Sequence, residues 1–309
     1  MIELLSTVLL SAIPAFVFIY LVSLGHSIAE KSGVLNLAVD GMFFLSTSIA
    51  VLVSYNVYAL AGFTGVPAAV CGTLVAATVV ALIGALMAVI LTVFPVNHAA
   101  FGLSLMFLGY GLGVMAGYPV RLRVGVIEPF TYPADLTVYL ALLSLSVGVS
   151  IAAHILMSRT SLGASIRAVG EKPHSVLAMG MSVAKIRVIA CLIGFFILGV
   201  GASMYSLLWS RMWGPRDYLL GYGWIAFTIA LAAGRHPLLL LALSLVFGGI
   251  LGNRYTIQVL LGIPPDISHM IPYISALVAM LIYSTTRLRE VLAPPGALGK
   301  VFYKEERTV

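Results

Sequence analysis

Long apolar runs alternate with short polar connectors along this chain. Nine runs stand out, at roughly 4–28, 34–54, 66–94, 98–118, 136–157, 188–209, 222–234, 237–252 and 270–286. A spanning helix needs about 20 mainly apolar residues, and most of the runs reach that length. The short alternating segments of a membrane β-barrel are absent. Hydrocarbon offers the backbone no hydrogen-bond partner, so the runs have to be helical. The pattern predicts an all-α fold, a polytopic transmembrane bundle of about nine membrane segments, read as one domain over residues 1–309. The seventh and eighth runs are short, and Gly234-Arg235-His236-Pro237 separates them. Two tight spans and one broken, re-entrant pair are both open.

The connectors set the orientation. The longest covers 158–187, and a polar tail covers 287–309. With 158–187 in the cytoplasm, Lys31, Arg159, Arg167, Lys172, Lys185, Arg187, Arg235, Arg287, Arg289, Lys300, Lys304 and Arg307 lie inside. Arg121, Arg123, Arg211, Arg216 and Arg254 lie outside. That is 12 against 5 of the 17 basic residues, the asymmetry expected when positive charge is retained in the cytoplasm. The N-terminal end is then outside and the tail inside. Met1-Ile2-Glu3 has no basic stretch or small-residue cleavage site, so the first run reads as a retained span.

Composition agrees. The chain is 61% hydrophobic and 9% charged, with a mean hydropathy of +1.09, whereas soluble domains carry about 25% charged residues. The net charge of +6 comes from connectors between apolar runs, so it reads as membrane orientation and not as nucleic-acid binding. Cys71 and Cys191 fall inside apolar runs and read as small buried hydrophobes. No metal-ligand spacing and no catalytic set is found. A phosphate loop is missing, so ATP chemistry has to come from another chain.

Several polar or aromatic positions are candidates for a solute path. Asn36 and Asp40 are four apart, which on a helix puts them on one face. An ionised carboxylate in hydrocarbon has to face protein or water. Three readings of Asp40 are open: an acid at a helix start, a group in the substrate path, or a buried structural hydrogen bond. Asn97 and His98 follow Pro95 at a helix start, where capping is the plain reading. Tyr110, Tyr222 and Trp224 offer faces for a flat ligand, against the alternative of anchoring at the membrane interface. Gly33 and Gly41 bracket the start of the second run, and Gly221, Gly223 and Gly234 bracket the seventh. Paired short or interrupted segments mark the transport site in some transporter folds.

The connector 158–187 is the most informative stretch. Pro173 suits the first position of a short helix to about Met179, and Gly180 suits its left-handed end. Arg167 and Glu171 are spaced to pair across one turn. The stretch Arg159-Thr160-x-Leu162-Gly163-x3-Arg167-Ala168-Val169-Gly170-Glu171-x-Pro173 resembles the coupling-loop signature of permeases of the branched-chain amino acid, ribose and nucleoside ABC importer family. Ser32-Gly-Val-Leu-Asn-Leu-Ala-Val-Asp-Gly-Met42 is similar to that family's S-G-V-x-N-x-G-x-E-G-M. Gly221-Tyr-Gly-Trp-Ile-Ala226 with Pro237 is similar to G-x-G-[WF]-I-A…P-L-G. Ala297-Leu-Gly-Lys-Val-Phe-Tyr-Lys-Glu-Glu306 resembles the tail of the nucleoside-type branch. The chain departs from the pattern at Asp40, Ala38 and Lys172.

The resemblance implies the shorter of two different permeases in an importer of the cytoplasmic (inner) membrane. Its partners would be a longer permease, an ATPase that holds ATP and Mg, and an extracytoplasmic substrate-binding lipoprotein. The substrates implied are nucleosides or related ribose-bearing or sugar-like solutes. The chain itself would hold no cofactor and no metal. The coupling residues are then Arg167, Gly170, Glu171, Pro173, Val176, Leu177, Met179 and Gly180. An ion-coupled secondary transporter and a membrane-embedded enzyme are the rival classes. The first needs ionisable groups deep in the membrane, and the second a catalytic cluster.

Overall fold

The computed structural model describes residues 2–123, 128–214, 221–286, 290 and 292–303. Regular structure among them is helical throughout. In chain order the helices are α1 (Ile2–Glu30), α2 (Val39–Ala61), α3 (Val66–Val93), α4 (His98–Arg123), α5 (Leu136–Arg159), α6 (Ser161–Glu171), α7 (Pro173–Ala178), α8 (Val183–Met204), α9 (Tyr222–Ala232), α10 (Pro237–Gly252), α11 (Arg254–Leu261) and α12 (Pro265–Thr285). A 3-10 turn covers Glu128–Phe130, and a π-helical turn over Tyr205–Trp209 extends α8.

Local signals set these boundaries. Asp135 accepts from Thr137 N at the start of α5, Thr160 from Gly163 N at the start of α6, and Ser182 from Lys185 N at the start of α8. Such side chains satisfy N–H groups that a helix start leaves without partners. Proline stands at the first turn of α3, α7, α10 and α12, where its missing N–H does no harm.

Seven helices, α1 to α5, α8 with its π turn, and α12, are long and apolar enough to cross a membrane. Taken as one span bent by 59°, α10 and α11 make an eighth. The seventh run behaves differently. α9 has 11 residues, so it is roughly 16 Å long against a hydrocarbon core of about 30 Å. It is a half-helix. It is too short to span by itself, and the bent pair joins α10 to α11 and not the seventh run to the eighth.

α1 is the axis of the bundle. Most of its span is buried, and it packs on α8, α10, α9 and α5. The outer helices show large apolar side chains on the surface, among them Phe107 and Met115 on α4 and Leu277 and Leu281 on α12. Patches of this size on a free-standing protein face lipid or another subunit. Cys191 is buried as expected, whereas Cys71 is exposed on α3.

The connectors sort into two ends. At one, Gly170 approaches Lys31, Leu35 N donates to His98, Arg235 meets Glu30 and Ala297 N donates to Gly170 O. At the other, Gly65 N donates to Pro129 O, Tyr132 N to Leu207 O, and Asn253 Nδ2 to Val8 O. The 158–187 connector, Lys31, Arg187, Arg235 and Lys300 share the first end, the one that the retention of positive charge assigns to the cytoplasm. Arg216, Arg287, Arg289, Lys304 and Arg307, counted in the charge split, lie outside the described residues, as do the side chains of Arg121 and Arg123.

Candidate functional site

After α1 the chain turns back into the bundle without helix. Gly33 takes a left-handed φ of 85°. Leu35 N donates to His98 Nδ1 at 3.3 Å. Asn36 Oδ1 accepts from Ala38 N at 3.1 Å, and its amide lies 3.4 Å from His26 Nδ1. Helix α2 begins only at Val39. Asn36 therefore sits in the turn before it and does not share a helical face with Asp40, contrary to the sequence reading. A Cβ on Gly41 would come within 2.1 Å of Met106 O. Met106 is eight residues into α4, so this end of α2 lies roughly 12 Å from the start of α4.

Asp40 stands at that depth, 2% exposed. Its Oδ1 accepts from Gly223 N at 2.7 Å and its Oδ2 from Tyr110 OH at 2.5 Å. Trp224 N donates to Gly221 O at 3.0 Å and lies near enough to the carboxylate to favour its charge. Gly223 and Trp224 form the first turn of α9, whose N-cap residue, Gly221, offers no side chain. Asp40 thus supplies from α2 the anionic cap that α9 lacks. The contact is close: a Cβ on Gly223 would lie 2.4 Å from Asp40 Cα. Of the three readings of Asp40, the structure shows the buried hydrogen bonds; the acid does stand in the first turn of α2, but it lies inside the bundle and also serves the start of α9.

The other end of α9 is tied by a second acid. The chain leaves α9 through Gly234 and Arg235, both left-handed, with Arg235 at φ 59°. Arg235 Nε donates to Glu30 Oε2 at 2.6 Å, and His26 Nε2 lies 3.3 Å from the same oxygen. Glu30 and His26 are wholly buried, and Arg235 is 3% exposed. Nearby, burial and then the charges of Arg235 and Arg167 push the Lys31 ammonium below the ordinary lysine range, with Glu171 opposing.

Tyr110, Trp224 and Tyr273 surround Asp40 and are only half-buried. The Trp224 indole is within hydrogen-bonding reach of the Tyr110 phenol, and the Tyr273 ring covers Gly221. Tyr222 belongs instead to a closed aromatic cluster, with ring centroids 5.1 Å from Tyr205, 5.6 Å from Trp209 and 5.9 Å from Phe18. Its hydroxyl accepts from Arg254 Nη1 at 2.9 Å. At 3% exposure Tyr222 has no open face and does not anchor at an interface. Asn97 caps α4, accepting from Ala99 N and Ala100 N at 2.9 and 3.0 Å. His98 is buried beside the 31–38 connector.

At the cytoplasmic end, α6 runs into α7 through Lys172, which makes no side-chain cap. α7 ends at Ala178, and Gly180 follows at φ 80°, its N donating to Leu177 O at 3.0 Å. Pro173 and Val176 turn inward, the latter 2% exposed, Leu177 is half-buried, and Met179 is 73% exposed. Arg167 and Glu171 do not pair across the turn: Glu171 Oε2 accepts from Gly296 N at 3.0 Å. Gly170 has no room for a side chain, since a Cβ would meet Lys31 O at 2.1 Å.

The sequence profile of the family described as "branched-chain amino acid transport system / permease component" matches residues 8–281. The chain belongs to this permease family. The "Putative glucose ABC transporter permease protein TsgC13" of Haloferax volcanii is 29% identical, covering 96% of this chain and 97% of its own length. The nucleoside permease NupC of Lactococcus lactis is 23% identical, covering 88% and 89%. The guanosine permease NupQ of Bacillus subtilis is 24% identical, covering 84% and 86%. No solved structure matches the chain. As a permease of this family, it is a multi-pass protein of the cytoplasmic membrane.

Of the seven pathway candidates named from the sequence, the structure gathers Asp40, Tyr110 and Trp224 at one place, and it sets Asn36, Asn97, His98 and Tyr222 in other surroundings. The sequence reading missed Glu30, His26, Arg235, Arg187 and Tyr273. Glu30 and Arg235 looked like ordinary connector charges because each falls at the edge of an apolar run. The one available signal was their position beside the two interrupted segments.

Proposed function

We propose that this permease is the membrane-spanning subunit of an ABC importer. It carries a nucleoside, or a related ribose-bearing or sugar-like solute, and a separate ATPase drives it. A longer permease completes the membrane part, and a substrate-binding lipoprotein delivers the solute. One observation carries the reading: a half-helix starts inside the bundle, capped by Asp40, with Tyr110, Trp224 and Tyr273 around the start. Interrupted helices that meet near mid-membrane are where transporters of several folds bind their solutes. Half-exposed aromatic rings suit a flat or ring-bearing solute, and each stacked contact is worth about 0.5–1.5 kcal/mol. Relatives named for glucose, nucleosides and guanosine support the same class. Asn36 and His98, both wholly buried, act as supports of the connector that leads to Asp40. Asn97 and Tyr222 act as supports, the first as a cap and the second within its cluster.

Ion coupling has less support, because Glu30 and Asp40 already hold protein partners. The test is uptake by the reconstituted complex with competing nucleosides, sugars and amino acids. Nucleosides or sugars should compete, and Trp224→Ala and Tyr273→Ala should raise KM. Competition by amino acids alone, or uptake that survives ATP removal, would contradict the proposal.

A further inference from the structure

The C-terminal segment 292–303 is built into the cytoplasmic face. Ala297 N donates to Gly170 O at 2.8 Å, and Gly299 N to Gly33 O at 3.1 Å. Gly296 N takes Glu171 Oε2 at 3.0 Å. Phe302, 6% exposed, sets its ring 5.0 Å from His174 of α7 and 5.7 Å from the Arg187 guanidinium. Arg187 is itself wholly buried. It donates from Nε to Ser32 O at 3.2 Å and from Nη1 to Thr92 Oγ1 at 3.4 Å. The segment is therefore bonded at once to α6, to α7 and to the connector that leads to Asp40.

Between α7 and this segment lies an open cleft of about 520 Å³. Lys172, Pro173 and His174 form one wall, and Lys300, Val301 and Phe302 the other. Lys172 and Lys300 are exposed, one on each wall. The acid on the rim, Glu171, already accepts from Gly296 N. The cleft is cationic over an apolar floor, and it lies on the face where α7 ends.

We infer that the ATPase docks on a composite surface, seating an acidic segment in the cleft between α7 and residues 296–302, with Lys172 and Lys300 as its two cationic jaws. The inference rests on the ABC importer reading and names which part of this chain the ATPase grips beyond α7. A push on the cleft reaches Gly33 through the Gly299 bond, and Gly33 opens the connector that ends in the Asp40 cap. One docking event thereby loads both α7 and the solute path. A purely α7-based contact would leave residues 296–302 outside the interface.

The test uses the full reconstituted complex. Carbodiimide joins a lysine to a carboxylate in contact with it, and mass spectrometry of the wild-type complex should find Lys300 or Lys172 joined to an ATPase acid. Binding of the ATPase to Leu177→Asp, Lys300→Glu and Lys172→Glu/Lys300→Glu is then titrated. Leu177→Asp reports on the α7 contact. Lys300→Glu should weaken binding at least tenfold and the double variant further, with the loss shrinking as salt is raised. These lysines are exposed, so the melting temperature of the isolated permease should not move. If Leu177→Asp weakens binding while the lysine variants bind normally and Lys300 is uncrosslinked, the composite surface is wrong and the importer reading stands. If none of the variants weakens binding, both fall.

Discussion

The two ends of α9 are held by acids only ten residues apart in sequence, yet by different chemistry. At its start, Asp40 receives backbone N–H groups and a phenol. At its end, Glu30 meets a guanidinium and an imidazole. The first contact needs shape and acceptor atoms. The second needs charge, because a buried arginine without its acid is far more costly than a lost neutral bond. The difference suggests separate duties. The ion-paired end fixes α9 to α1, and the Asp40 end, held by N–H and O–H donors, lies beside the half-exposed aromatic rings.

The sharpest way to break this comparison is Glu30→Leu, which strands Arg235 in the core. A loss of about 3–5 kcal/mol is expected, read as a large drop in melting temperature and in monodisperse yield. Adding Arg235→Met should recover most of that loss, since a matched apolar pair leaves no buried charge. A Glu30→Leu variant as stable as the parent would end the distinction. Asp40→Leu comes next. It removes the acceptor of Gly223 N and of the Tyr110 hydroxyl, at about 1–3 kcal/mol, and uptake should fall further than stability.

Gly223→Ala tests the same contact from the other side. The added methyl meets backbone, so α9 has to move away from Asp40, at a similar cost of about 1–3 kcal/mol. Uptake assays should show a fall in turnover while the fold, followed by tryptophan fluorescence, persists. Asp40→Asn is the smallest. The amide keeps an acceptor for Gly223 N and turns its NH₂ toward the Tyr110 oxygen, so stability should fall by less than in Asp40→Leu and most transport should survive. Abolished uptake in a well-folded Asp40→Asn protein would show that the negative charge itself acts on the solute.

Much of this architecture was legible in the chain, for physical reasons. Runs of apolar residues announce spans because lipid leaves the backbone no other choice. Pro173, Gly180 and the hydroxyl caps announce helix ends because their demands are local. The half-helix was harder. Its length was visible, but Asp40 caps a segment 183 residues away, and nothing local records that. Arg187 was missed for the same reason. Its bonds to Ser32, Thr92 and Phe302 exist only after folding, and its place in a basic connector suggested solvent.

The pairing of Glu30 with Arg235 also constrains how the protein is made. The two residues are 205 positions apart. At roughly 5–20 residues per second, synthesis takes on the order of 10–40 s to go from one to the other. α1 leaves the ribosome well before α9 and α10, yet it ends at the centre of the bundle, and for that interval its acid waits for an arginine not yet translated. Newly inserted α1 therefore has to be sheltered, by the insertion machinery or at the headgroup boundary, until α9 and α10 arrive. Biogenesis of this permease runs against its own chain order, with the innermost helix made before the partners that settle it.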